Sequence, residues 1–185
     1  MLFRSLTEAT QDYLYSFRLL REFADYVVLN VSSPNTPGLR ELQGPDALAE
    51  LLSAIGEKNL ITRKPIAVKI APDLAPEEIE PIVSTCEANK VAAIIATNTT
   101  LDHSPIPSAQ DEQGGLSGRP LREKSTALVR AILTRSTIPV IASGGIMDAN
   151  SARDKIEAGA QLLQIYTGLI YRGPGLLREI AGALT

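Results

Sequence analysis

The sequence predicts an α/β chain built on a parallel β-sheet, either an open doubly wound sheet or part of a (β/α)8 barrel. Two observations predict this, and a third supports it. Five apolar runs, most of them rich in β-branched residues, alternate with segments of helical periodicity along the chain. The connections are short, apart from residues 102–119, which suits right-handed crossovers between neighbouring strands. Several runs are apolar on both faces, as expected of parallel strands covered on both sides.

Ser5 and Glu8 have the spacing of a capping box, and Leu6, Ala9, Tyr13, Leu14, Phe17 and Leu20 then form one helical stripe. Tyr26–Val31 reads as the first strand and stops at a Ser-Pro-Asn-Thr-Pro-Gly turn. Pro45 and Asp46 open a helix carrying Leu48, Leu51, Leu52 and Ile55 on one face. Ile66–Ile70 is the second strand. Pro76–Asn89 is a helix that Pro81 is expected to shorten or kink, because proline removes a hydrogen bond. Val91–Thr97 is a strand and Pro120–Ser136 a helix. Ile138–Ala142, Ala149–Ala158, Gln161–Tyr166 and Gly175–Leu184 complete the series as strand, helix, strand, helix.

The chain has 185 residues, 44% hydrophobic and 21% charged, which suits a single domain spanning 1–185 with a real core. A net charge of −3 offers no basic face for nucleic acid. The lone cysteine, Cys86, excludes an internal disulfide and a multi-cysteine zinc site. Its helical spacing with Ile79, Ile82 and Val83 marks it as a buried thiol. The lone histidine, His103, reads as a loop residue. No segment resembles a signal peptide or a membrane span, so the chain is expected to be soluble and cytoplasmic.

Polar residues gather at one end of the strands. Asn30, Lys69, Asn98 and Ser143 lie at or just past four C-terminal strand ends, and the fifth strand closes on Tyr166-Thr167. Barrels and open α/β sheets both build their sites there. Counting by twos puts Val28 with Asn30, Ala67 with Lys69 and Ala96 with Asn98 on an interior face. Leu29, Val31, Val68, Ile70 and Ile95 would then face the helices. Taken singly, Asn30 reads better as a loop cap and Lys69 as a solvated strand end, and it is their alignment that points to a ligand. Ser143-Gly144-Gly145 and Tyr166-Thr167-Gly168 are candidate phosphate contacts, followed by a short extra helical turn at 169–172.

The run Asn30-Val31-Ser32-Ser33-Pro34-Asn35-Thr36-Pro37-Gly38-Leu39-Arg40 resembles the signature of dihydroorotate dehydrogenases. Val68–Leu74, Ala96–Thr100, Gly114–Leu121, Ser143–Ile146 and Gln164–Thr167 resemble further family motifs, in family order. Class 1 members carry cysteine where this chain has Ser33, so the resemblance is to the quinone-dependent class 2. It implies a partial (β/α)8 TIM barrel, with these five strands as the fourth to the eighth.

The resemblance also implies roles. Ser33 would be the catalytic base that takes the proton from carbon 5 of dihydroorotate, while a hydride leaves carbon 6 for FMN. An ordinary serine hydroxyl is a poor base, so it would need a relay and exclusion of bulk water. Asn30, Asn35, Asn98 and Thr99 would bind the substrate, their paired donors and acceptors suiting its amide edges. Asn30, Lys69, Thr97, Ser117, Gly118, Gly144, Gly145, Tyr166 and Thr167 would contact FMN. Lys69 would favour the anionic reduced ring, and the later residues would hold the phosphate.

The family's first three strands have no counterpart before Met1. The chain alone is therefore expected to be inactive, and to aggregate, rearrange or pair with a chain supplying the missing strands. Its full-length parent is expected at the inner or cytoplasmic membrane, where it meets quinone. The alternatives are one part of a split enzyme, or a non-catalytic half-barrel that binds FMN or phosphate.

Overall fold

The computed structural model describes residues 8–184. Five parallel strands form one sheet in the order β1 (Val27–Asn30), β2 (Ile66–Ile70), β3 (Ala93–Ala96), β4 (Val140–Ser143) and β5 (Leu162–Gln164). The intervening helices are α1 (Ala9–Leu20), α2 (Pro45–Asn59), α3 (Pro76–Ala88), α4 (Arg122–Leu133), α5 (Ala149–Glu157), α6 (Thr167–Arg172) and α7 (Gly175–Leu184). Ser5, half of the expected capping box, lies outside the described residues.

Strand order decides between the two architectures. A doubly wound sheet reverses direction at a switch point, whereas here every strand lies beside its sequence neighbour. The sheet also curves. Lys69 on β2 donates from Nζ to Gln164 Oε1 on β5 at 3.1 Å, across the concave face. Along the sheet those strands are three spacings of about 4.8 Å apart. The sheet is thus five staves of a barrel, with helices on its convex side.

Register fixes the two faces. Asn30 pairs with Lys69, Lys69 with Ile95, and Ile95 with Ile141, so these four share the concave face. Ser143 pairs with Gln164 further along the same face. Leu29, Val68, Ile70, Ile94, Ala96, Val140 and Ala142 point the other way, into the main core with Leu48, Leu51, Ile55, Val83, Cys86, Val129 and Ile132. The expected faces of Ile95 and Ala96 are therefore exchanged. Asn98, from which the expected parity counts back, lies beyond the last paired residue, Ala96, where alternation no longer holds.

Pro81 neither shortens nor breaks α3, which runs on to Ala88. Proline inside a helix costs about 3 kcal/mol. Burial of Ile79, Ile82, Val83 and Cys86 outweighs it, at about 1.5–3 kcal/mol for each large apolar side chain. Helix entry is reinforced where Glu78 accepts from the Ala75 N–H at 2.7 Å. The expected helix from Pro120 instead begins as a 3-10 turn, Arg119–Leu121, and ends at Leu133. The fifth strand stops at Gln164 because the chain turns at Tyr166 to enter α6.

Cys86 is buried in the main core, as its spacing predicts, and burial pushes its thiol pKa up to about 12. A maleimide should therefore label the native chain roughly 100-fold more slowly than the urea-unfolded chain, read by mass spectrometry. Equal rates would show that the α3 stripe is not packed. Among the described residues no helix is long and apolar enough to cross a membrane. No cluster of three or more His, Cys, Asp or Glu side chains that could hold a metal ion is found among them either.

Candidate functional site at the strand ends

An open cleft of about 560 Å³ lies over the C-terminal ends of β2 to β5. Of the residues expected to bind cofactor or substrate, Lys69, Thr97, Asn98, Thr99, Ser117, Gly118, Gly144, Gly145, Tyr166 and Thr167 line it. Its wall contains one cation, Lys69, and no carboxylate. Burial lowers the Lys69 pKa, and the amide oxygen of Gln164 is its hydrogen-bond partner among the described residues. An electron-rich or anionic group is the natural complement of such a wall.

Asn30, Ser33 and Asn35 are not among the residues lining this cleft, and Asn30 is tied to it through Asn98. Tyr13, buried on α1, donates to the Asn30 carbonyl at 2.6 Å and so fixes the end of β1. Asn98 donates from Nδ2 to Asn30 Oδ1 and to Ser32 Oγ, each at 3.1 Å. Ser32, fully buried, donates to the Lys69 carbonyl at 2.7 Å. Side chains from the ends of β1 and β3 are thereby joined over the end of β2. Asn98 Oδ1 accepts from the Thr99 N–H at 2.8 Å, which fixes the orientation of its amide. Ser33 Oγ accepts from the Asn35 N–H at 3.3 Å and remains part-exposed. The segment Gly114–Gly118 arches over this loop. A Cβ on Gly115 would come within 1.9 Å of Thr99 Oγ1 and 2.7 Å of Pro34 Cγ.

At the other wall, Thr167 and Ser117 share a hydroxyl hydrogen bond of 2.9 Å. Gly144 and Gly145 take positive φ values of 104° and 74°. Their closest neighbours are Leu121 and Arg122 at the start of α4, so helix packing by itself accounts for both glycines. Tyr166 stands at the edge of the cleft, 78% exposed.

Sequence reasoning missed several polar residues that organise this end of the sheet. Gln164 was seen only as part of a motif, though its place in a strand of alternating faces points it inward with Lys69. Arg40 and Asp73 also ended or interrupted motifs without an assigned task. Arg40 joins Ser32, Asp73 and Thr99. Lys124 on α4 reaches Asp73 and Asp102, at 3.0 and 3.2 Å, and no local signal marks it.

Comparison with known proteins agrees with this architecture. A family model described as dihydroorotate dehydrogenase matches residues 3–185. The dihydroorotate dehydrogenase (quinone) of Gloeobacter violaceus is 48% identical over 181 residues, covering 97% of this chain and 51% of its own length. That of Nostoc punctiforme is 48% identical over 190 residues, covering 97% and 50%. A ligand-free DHODH structure from Eimeria tenella superposes with a TM-score of 0.89 at 36% identity, covering 95% of this chain and 55% of that one. This chain thus spans about half the length of the curated relatives it matches. The relatives carry the quinone-dependent name, in agreement with the class that Ser33 implies. With the family model matched over nearly its whole length, the chain belongs to the dihydroorotate dehydrogenase family.

Proposed function

We propose that this chain carries the part of a dihydroorotate-oxidising site that holds FMN and the substrate ring. The complete reaction would convert dihydroorotate to orotate with a quinone acceptor, a step of pyrimidine (UMP) biosynthesis, in a membrane-associated protein. The observation that carries the reading is the wall of the cleft, with a single partly desolvated ammonium and no opposing carboxylate. Such a wall favours both the substrate carboxylate and a flavin ring gaining negative charge.

In this reading Ser33 accepts the proton from carbon 5 of the substrate. Asn30, Asn35, Asn98 and Thr99 orient the ring, and the linked Asn30 and Asn98 amides act as one preset edge. FMN, when bound, supplies the acceptor for the hydride from carbon 6 and the route for its electrons to quinone. Lys69 holds positive charge beside the ring, while Thr97, Ser117, Gly118, Gly144, Gly145, Tyr166 and Thr167 seat the rest of the cofactor.

Turnover in this reading needs further strands beside β1 and β5. Supporting that, among the described residues β1 and β5 each have one sheet neighbour, and an apolar hollow of about 400 Å³ on the concave face is lined by Ala67, Ala93, Ile141 and Leu162. Leu162 is 62% exposed there.

Two measurements test the reading. Titration of FMN into the purified chain, followed by flavin fluorescence, should show binding that Lys69→Ala weakens by about tenfold, the loss of one charge-assisted contact. No binding by the parent chain would sink the cofactor assignment. On mixing with a polypeptide that supplies the first family strands, dihydroorotate should bleach the flavin band anaerobically. Ser33→Ala should slow that bleaching by roughly 100-fold or more, the usual weight of a general base. Bleaching by the chain alone would show that the further strands are dispensable, and an unaffected Ser33→Ala would remove Ser33 as the base.

A further inference from the structure

The loop carrying Ser33 has no regular structure between β1 and the 3-10 turn at Leu39–Gln43, yet one side chain at its far end ties it to two neighbouring strand-end loops. Arg40 donates from Nε to the Ser32 carbonyl at 3.1 Å and from Nη2 to the Thr99 carbonyl at 2.9 Å. Its Nη1 donates to Asp73 Oδ2 at 2.9 Å. Each of the three nitrogens thus serves a different strand-end loop, following β1, β3 and β2 in turn.

Both ends of the clamp are anchored. The Arg40 carbonyl accepts from Gln43 Nε2 at 3.2 Å, and Gln43 Oε1 accepts from the Ala71 N–H at 2.7 Å, just past β2. Asp73 also receives the Thr100 hydroxyl, the Leu101 N–H at 3.0 Å and Lys124 Nζ at 3.0 Å. Burial alone would push the Asp73 carboxyl up. The Thr100, Leu101, Arg40 and Lys124 donors outweigh it and bring its pKa down to about 2. The carboxylate therefore stays ionised throughout the range in which the protein would work.

We propose that Arg40 is a positioning residue that locks the Ser33 loop to the Asn98–Thr100 turn, so that base and substrate-binding groups are held in one fixed geometry before substrate arrives. The proposal rests on the reading of Ser33 and Thr99 given above. The carbonyl that Arg40 holds belongs to Ser32, the residue immediately before Ser33. The other held carbonyl belongs to Thr99, which lines the cleft. Neither contact uses a side chain that would touch substrate. The task needs the planar fork of arginine, because a lysine ammonium is a point donor that can keep the Asp73 pair but cannot span both carbonyls.

The test is amide hydrogen exchange by mass spectrometry on the full chain, comparing the parent with Arg40→Lys and Arg40→Ala. Exchange in segments 31–39 and 97–102 should rise by about tenfold in both variants, while the β2 and β4 segments keep the parent rate. Arg40→Lys with parent-like exchange would overturn the proposal, since charge alone would then suffice. A uniform rise across every strand would also overturn it, because Arg40 would then support the fold as a whole. Adding orotate separates the two layers of inference. It should protect both segments in the parent, and its half-saturation concentration should rise about tenfold in Arg40→Lys. If orotate protects nothing in the parent, the substrate reading fails, and the exchange data still decide whether Arg40 locks the loops.

Discussion

Gly145→Ala is expected to cost about 2–5 kcal/mol of stability, by the sum of two separate penalties. The residue sits at φ 74°, a left-handed conformation that costs an L-residue about 1–2 kcal/mol. The new Cβ would also lie 2.3 Å from Arg122 Cα and 2.5 Å from Arg122 N. Backbone atoms cannot swing aside as a side-chain tip can, so the start of α4 must move. Because Gly144, Gly145 and Leu121 line the cleft, the same displacement should also weaken FMN binding. Gly56→Ala supplies the control. Gly56 lies inside α2, and a Cβ there meets nothing within 4 Å. That change should stabilise the chain by about 0.5–1 kcal/mol, through helix propensity alone. Urea midpoints measure both. A Gly145→Ala midpoint at or above that of the parent would contradict the close approach of this loop to α4.

The strand–helix order was legible because it rests on local chemistry, in β-branched runs, proline at helix starts and the spacing of apolar stripes. Ile66–Ile70 and Gly175–Leu184 were read to the residue for that reason. The choice between barrel and open sheet was not legible in periodicity, because strand order is a property of the whole chain, and only the family resemblance pointed to the barrel. The same limit explains Ile95. Its face depends on the register against Lys69, which no count along one strand reveals once the count begins beyond the last paired residue.

The candidate site was legible where a residue stands at a strand end, as Asn30 and Lys69 do. It was not legible where a residue works through a distant partner. Gln164 meets Lys69 from 95 positions away, and Arg40 meets Thr99 from 59. The segment between β3 and α4 hid more. It holds an isolated bridge from Thr100 to Leu116, and His103 pairs there with Asp111 and the Gly114 carbonyl. Those contacts close a loop whose sequence shows neither a strand run nor a helical stripe.

No local signal marks the burial of Lys155. It occupies α5, a short helix in which a lysine suggests a solvated face, yet it is 0% exposed. Its Nζ donates to the Arg122 carbonyl at 3.0 Å, to Ser125 Oγ at 2.5 Å and to Thr126 Oγ1 at 2.6 Å, which uses all three protons. Ser125 in turn donates to the Gly144 carbonyl at 2.9 Å, so this lysine underlies the glycine loop of the cleft. Lys155→Ala should cost about 3–4 kcal/mol, since it empties a fully packed site. Lys155→Met keeps the volume, and the Ser125 and Thr126 hydroxyls retain the Gly144 and Arg122 carbonyls. It should cost no more than about 1–2 kcal/mol. Titration separates charge from packing. Burial lowers the Lys155 pKa from 10.5 to about 8 in the folded chain. Between those values the unfolded chain binds the extra proton, so Lys155 adds stability as pH rises through that window and loses it as pH falls through about 8. Tyr13 and Cys86, with raised pKa values, act in the opposite sense at high pH, and subtracting the Lys155→Met curve removes their contribution. The stability of the parent relative to Lys155→Met should therefore climb by about 1 kcal/mol from about pH 7.5 to about pH 9. A flat difference would mean that the folded ammonium titrates as it does in water, and that the three hydrogen bonds fully replace its hydration.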